Sequence, residues 1–328
     1  MKIVITGGTG FLGLRLARQI LAHGVATAPS GKKEPVDEMV LFDVVVPDKR
    51  PEGLDDRVKI VAGEIADEKA VSALIDRPDI GVYHLASVVS GGAEQDFSLA
   101  LRVNLHGHLH LLEAIRKLGS KPRYLFSSSV AAYGGTAMPK RVTDQTKQTP
   151  QTTYGMTKAV GELLVNDYTR KGFIDGRTAK LPGVIIRPGK PNKAASSFIS
   201  AVVREPLNGV DYVLPVPLDL DMPVAGYRTV VSALEALFEL DGAKLGDDRG
   251  VNLPNLDVKV SDMIAALKRV AGDRKLGKID VQPDPFVMSI VSGWPAHLDA
   301  GRGESFGLPK DKSLDDVIRA YMEDYLGK

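Results

Sequence analysis

Short apolar runs recur through the first half of the chain, at 3–5, 39–42, 58–62, 80–86, 124–127 and 184–186. Several are apolar without alternation, as strands buried on both faces of a parallel sheet are. Segments of helical period lie between them. Leu12, Leu16 and Ile20 share one face, and Leu101, Leu105, Leu109 and Leu112 share another. This alternation predicts an α/β fold, a Rossmann-type doubly wound parallel sheet. The stretch 26–38 carries Pro29, Gly31 and Pro35, which predicts a surface loop.

Beyond Arg187 the rhythm stops and prolines gather at 188, 191, 206, 215, 217 and 223. A helix is predicted within 256–272, with Ser261 as N-cap and Gly272 as its stop. The last helix has Ser313 as cap and Leu314, Val317, Ile318, Tyr321 and Tyr325 on one face. The expectation is an α/β domain over 1–187 and a smaller, mostly helical domain over 188–328, with some later segments returning to the sheet.

Composition narrows the function. The 328 residues carry 42 Lys plus Arg against 41 Asp plus Glu, a formal charge of +1, which gives no electrostatic reason to expect nucleic acid or an anionic membrane as partner. With no cysteine, disulfides, thiolate nucleophiles and Cys-ligated metals are excluded, and no metal site is expected. No apolar run approaches the ~20 residues of a membrane span, and the N-terminal residues lack the apolar stretch of a secretion signal. A cytoplasmic location is expected.

The chemistry begins at Thr6-Gly7-Gly8-Thr9-Gly10-Phe11-Leu12-Gly13, directly after the first strand and opening the first helix. Gly7 permits the sharp turn, Gly10 lets backbone approach a pyrophosphate, and Gly13 lets helix and strand pack closely. Free N–H groups at the helix start then face the phosphates. Asp43 follows the second apolar run, where a carboxylate accepts hydrogen bonds from a ribose diol and repels a 2′-phosphate. Val44, Val45 and Val46 follow it with no arginine, which favours NAD over NADP.

Tyr154 and Lys158 stand four apart on a predicted helix and so share a face. A phenol is a weak base near neutral pH, and a neighbouring ammonium favours its ionised form. Ser129 ends the fifth apolar run, where its hydroxyl can hold a substrate oxygen against Tyr154.

Together the glycine loop, the serine strand and the Tyr-x-x-x-Lys pair resemble the extended short-chain dehydrogenase/reductase superfamily, which includes nucleotide-sugar epimerases. The resemblance implies NAD as cofactor, Tyr154 as general acid/base, Lys158 as its activator and ribose ligand, and Ser129 as the substrate-positioning hydroxyl. It extends to cofactor contacts from Thr9, Phe11, Leu12, Glu64, Ile65, Leu85, Ala86, Ser87, Asn104 and Pro188, with 1–187 as the NAD-binding domain and 188–328 as the substrate-binding domain. Ser87 could also touch substrate. Asn104 matches an asparagine that supports the site, and equally suits a helix surface. Ser127 and Ser128 read as strand-end filler, and His84 as a packed strand residue. Helices around 97–117 and 154–170 match the pair that builds a homodimer in many members.

The nucleotide-sugar dehydratases carry an acidic pair after the serine; here those positions are Val130 and Ala131. Many epimerases have an Arg-Tyr-Phe-Asn segment where this chain reads Arg187-Pro188-Gly189-Lys190-Pro191. The distal segments around Asn192, Ser196, Asn252 and Trp294 are similar to a branch that oxidises the C2 hydroxyl of a four-carbon sugar acid. Its carboxylate would need a cationic or amide partner, and Lys190, Asn192, Lys193 and Arg228 are the candidates, each of which also suits a solvated surface. The alternatives are a nucleotide-sugar epimerase with tightly bound NAD and a non-catalytic dinucleotide-binding regulator.

Overall fold

The computed structural model describes residues 1–189 and 194–327. Its centre is a seven-stranded sheet, ordered Gly250–Asn252, Asp175–Leu181, Arg123–Ser129, Ile80–His84, Lys2–Thr6, Glu38–Asp43 and Val58–Ala62. Every neighbouring pair is parallel. Alternate side chains of a strand point to opposite faces, and the two cores divide that way. Ile3 and Ile5 join Leu16, Tyr83, Leu125, Leu237 and Phe238 on one side. Val4 joins Phe42, Val82, Leu112, Phe126 and Val165 on the other. The helix Phe11–His23 and the helix Tyr227–Glu239 cover the first face. The chain turns both ways from strand Lys2–Thr6, so the strand order reverses there and opens a crevice at the carboxyl ends.

Three segments depart from the sequence expectations. The stretch 26–38 is a small antiparallel hairpin of Val25–Thr27 and Lys33–Pro35, in which Ala26, Ala28 and Val36 are buried. Pro35 is tolerated because a two-stranded ribbon leaves free edges. The run 184–186 lies outside the main sheet: Gly183–Ile185 pairs with Asp221–Gly226 in a separate three-stranded sheet completed by Leu256–Lys259. The sixth strand of the main sheet is instead Asp175–Leu181, whose buried Arg177, Thr178 and Lys180 hid it from a hydrophobic pattern. The helix expected to begin at Ser261 begins at Val260, and Lys259 N donates to Asp262 Oδ2 at 2.9 Å.

From Gly183 onward the chain builds a second layer over the carboxyl ends of the main sheet, with helices Phe198–Leu207, Val260–Ala271 and Leu314–Tyr325. Ser313 caps the last, its hydroxyl accepting from Asp316 N at 3.2 Å. Helix Tyr227–Glu239 and strand Gly250–Asn252 return to the main sheet. Among the described residues, no helix is long and apolar enough to cross a membrane.

Candidate active site

The crevice is walled on one side by the glycine loop. Gly7 adopts φ +69°, and a Cβ there would stand 2.8 Å from Ala86 N. A Cβ on Gly13 would stand 2.4 Å from the Gly7 carbonyl, so loop and helix pack with no room for a side chain. A Cβ on Gly10 would meet only the Gly7 carbonyl, at 3.1 Å, which leaves its backbone facing the open crevice. Helix Phe11–His23 starts at Gly10 with no side-chain cap, so its first N–H groups are free to meet an anion. Asp43 ends its strand beside this loop, and its Oδ2 accepts from Thr9 N at 3.2 Å. Glu64 lies next along the rim, where Gly63 N bonds to Asp43 O at 2.9 Å. It is exposed and faces Arg102 at 3.5 Å. Ile65 is buried and packs against Gly107. This cradle, uncapped helix start and flanking carboxylate fit a dinucleotide.

The reacting groups stand at the other end of the crevice. Thr152 caps helix Thr153–Arg170, accepting from Gly155 N at 3.1 Å. A Cβ on Gly155 would lie 2.0 Å from the Ala131 carbonyl, so the helix start seats directly on the turn Val130–Ala132 that follows Ser129. That contact brings Tyr154 to Ser129. Burial pushes the Tyr154 phenol up from its ordinary value, while the Ser129 hydroxyl and the Arg187 guanidinium pull it down. Lys158 is buried, donates to the Ser127 carbonyl at 2.8 Å, and lies 5.4 Å from the Tyr154 ring centre. Burial pushes its ammonium down to about 7, against the pull of Glu162. A cavity of about 300 Å³ joins these groups to the glycine loop, Leu85 and Ser87.

Asn104 enters by another route. It sits in a π-helical turn, Leu101–His106, and its amide bonds to both Val88 backbone groups, at 2.7 and 3.0 Å, and to Thr157 Oγ1 at 3.2 Å. Its side chain therefore ties the segment after Ser87 to the Tyr154 helix and is occupied by protein. Ala86 borders Gly7, and Pro188 follows Arg187 at the half-buried rim. His84 is packed, bonded to Thr6 Oγ1 at 2.7 Å.

Arg228 is not brought to the cavity. Its guanidinium bonds to Asp324 and to Glu323, the latter at 3.0 Å, on the outer face of the last helix, so it has no freedom to meet a substrate carboxylate. Lys190, Asn192 and Lys193 lie outside the described residues. In place of Arg228 the structure brings Arg187 into the cavity, with Ser196 and Trp294. Among the described residues the Arg187 guanidinium bonds to the Val184 carbonyl and Ser196 Oγ, both at 3.4 Å, and no carboxylate pairs with it. The sequence offered no signal for this beyond an arginine at a strand end. Ser128 also proves more than filler, since its hydroxyl bonds to buried Glu162.

Residues 3–220 match the family described as NAD dependent epimerase/dehydratase. The chain is 47% identical over 325 residues to D-erythronate dehydrogenase of Cupriavidus necator, covering 99% of this chain and 98% of that one. It is 40% identical to D-erythronate dehydrogenase of Haemophilus influenzae, covering 98% and 99%. Among solved structures, a nucleoside-diphosphate-sugar epimerase from Agrobacterium tumefaciens superposes with a TM-score of 0.90 at 37% identity, covering 100% and 95%.

Proposed function

The chain belongs to the NAD dependent epimerase/dehydratase family, and we propose that it is an NAD-dependent dehydrogenase of a small sugar acid, oxidising the C2 hydroxyl of D-erythronate to the 2-keto acid. One observation carries the substrate class: the cavity holding Ser129, Tyr154 and Lys158 also holds the Arg187 guanidinium, which no carboxylate neutralises among the described residues. A cation left unpaired in a cleft suits an anionic ligand, and a guanidinium fork matches a carboxylate geometrically. The two D-erythronate dehydrogenases identical at 47% and 40% support the same reading.

In this reading NAD, when bound, supplies the acceptor for the C2 hydride. Arg187 and Ser196 hold the substrate carboxylate. Ser129 bonds to the C2 oxygen, and Tyr154, as phenolate, takes that hydroxyl's proton. The Lys158 ammonium stabilises the phenolate and reaches the cofactor ribose. Asp43 receives the adenosine ribose diol. The resemblance and the exposed Leu163 on helix Thr153–Arg170, 66% accessible, support a homodimer formed through that helix, which light scattering tests.

The experiment is direct. Purified protein is given NAD and D-erythronate, and NADH formation is followed by absorbance. Turnover of the acid, with none of UDP- or GDP-sugars, supports the proposal. The Agrobacterium structure favours a second reading as an epimerase. Interconversion of a nucleotide sugar without net NADH, and no response to hydroxy acids, would put that reading in its place.

A further inference from the structure

Helix Thr153–Arg170 carries a third ionisable group in register with the first two. Tyr154, Lys158 and Glu162 follow at four-residue intervals, so phenol, ammonium and carboxylate succeed one another along one face. The reaction just described gives Glu162 no task, yet it is buried, at 6% accessibility. A buried carboxylate is costly unless its oxygens are satisfied, and here they are. Oε1 accepts from the Ser128 hydroxyl. Oε2 accepts from Gln148 Nε2 at 2.7 Å and faces Lys180 Nζ at 3.3 Å. Lys180 Nζ donates in turn to the Tyr133 hydroxyl at 3.2 Å, and that hydroxyl reaches Asn252 Oδ1 at 3.0 Å. Adjacent strand residues therefore grip both charges: the Ser127 carbonyl takes the Lys158 ammonium and the Ser128 hydroxyl takes Glu162.

We propose that Glu162 is a positioning residue: its carboxylate, held by Ser128, Gln148 and Lys180 one helix turn from Lys158, favours the charged form of the ammonium that the Ser127 carbonyl seats beside Tyr154. The proposal rests on Lys158 acting through Tyr154 as described above.

The surroundings of Lys158 assign this work to Glu162. From its own helix come Tyr154 and Glu162. His84 faces it from strand Ile80–His84 and His108 from helix Gly107–Leu118, both buried. Burial, with Lys158 adding to it, drives His84 well below its ordinary value and His108 to about 3, so neither supplies charge at neutral pH. Strand Arg123–Ser129 offers the Phe126 ring, 4.9 Å from Nζ, and the Ser127 carbonyl. Beyond Glu162, strand Asp175–Leu181 contributes Lys180. Burial lowers Lys158, and Glu162 is the charged side chain that raises it again. Burial also pushes Glu162 up, and Lys180, Ser128 and Gln148 hold it down. Burial opposes charge on Lys180 too, but Glu162 and Tyr133 hold it above its ordinary value. Burial dominates at both groups, and against it Lys180 favours the ionised form of Glu162 and Glu162 that of Lys158.

The sign follows directly. Lys158 is charged below its pKa, so removing the carboxylate lowers that pKa and brings the basic limb of activity to lower pH. For Glu162→Gln the expected fall is about one unit. That is a ~10-fold loss of kcat/KM above the limb, vanishing about one unit below the variant's own limb. Glu162→Asp, which draws the carboxylate back by one methylene, should place the limb between the two, and remains informative if the Gln variant does not fold. Ser128→Ala removes one of three partners and keeps the carboxylate, so it should move the limb by less than Glu162→Gln does. The same shift is read without substrate by following the Lys158 Cε resonance in protein labelled with 13C-lysine, assigned with Lys158→Met. That measurement stands even if D-erythronate is not the substrate, whereas full activity of a folded Tyr154→Phe variant would remove the reading it rests on. A uniform fall in kcat with the limb and the resonance unmoved would mean Glu162 only braces the fold, and an equal shift in Ser128→Ala would mean geometry rather than charge.

Discussion

Replacing Arg187 with Met tests the substrate reading at its weakest joint, because Met keeps much of the side-chain length and removes only the cation. At an effective dielectric of ~20, two unit charges about 4 Å apart attract by ~4 kcal/mol. The cleft is open and Arg187 half-buried, so solvent screens part of this. Truncating one partner of a hydrogen-bonded charge pair costs ~2–5 kcal/mol, and the screened end, ~2–3 kcal/mol, is the appropriate choice. That corresponds to a ~30- to ~150-fold fall in kcat/KM. The carboxylate is bound equally before and during hydride transfer, so most of the loss should appear as a higher KM.

A second effect is separable by pH. Arg187 helps to pull the Tyr154 phenol down, so its loss raises that pKa. The phenolate exists above the pKa; the acidic limb of kcat should therefore move to higher pH and kcat should drop at neutral pH, while the KM defect persists. The assay is NADH formation by wild type and Arg187→Met with D-erythronate and with its primary amide. Wild type should prefer the acid, and the variant should treat the two alike. Equal losses on acid and amide would show that the guanidinium does not face the carboxylate.

Three further outcomes are expected. Tyr154→Phe should keep NADH binding, measured by fluorescence, and lower kcat by at least ~100-fold, the lower range for a lost general acid–base group. Wild type should prefer NAD to NADP in kcat/KM, and Asp43→Ser should narrow that preference, raising the KM for NAD because the ribose diol loses its acceptor and lowering that for NADP because a like charge no longer meets the 2′-phosphate; equal use of both cofactors by wild type would place Asp43 away from the ribose. Arg228→Ala should leave every kinetic constant unchanged and cost ~0–1 kcal/mol in thermal unfolding, because its pairs with Glu323 and Asp324 lie at the surface.

What the sequence made legible follows from which physical signal each element carries. Strands such as Lys2–Thr6 and Glu38–Asp43 are buried nearly throughout by aliphatic side chains, and a pattern of apolar runs finds them. Asp175–Leu181 is as deeply buried but reads DGRTAKL. Its polarity is offset by partners far away in sequence: Arg177 donates to the Leu237 carbonyl at 3.0 Å, and Lys180 meets Glu162. No local pattern encodes such compensation, so the missed strand and the misplaced run at 184–186 are two sides of one error. The glycine loop and the Tyr154–Lys158 pair were legible for the opposite reason, since backbone clearance and one helix turn are local requirements.

The same distinction explains the substrate side of the site. Lysines and arginines of the second layer looked alike in sequence, and the choice among them depends on which carboxylates lie nearby in the fold. Arg228 looked available, yet the last helix brings Asp324 and Glu323 to it. Arg187 stood in the segment set against the Arg-Tyr-Phe-Asn pattern of many epimerases, and there the described residues supply it with a carbonyl and a hydroxyl. A cation's usefulness to a ligand is what its own chain leaves unpaired, a property of the whole structure. Lys158 and Arg187 show how this divides the labour around Tyr154. Lys158 is buried on the same helix face, seated on the Ser127 carbonyl with Glu162 one turn away, which suits a charge the protein itself supplies. Arg187 borders the cavity without a counter-ion, which suits a charge that each arriving carboxylate neutralises. A bound carboxylate offsets part of the Arg187 pull on the phenol, so with the acid the pKa governing kcat should lie above the one governing kcat/KM, whereas with the uncharged primary amide the two should coincide.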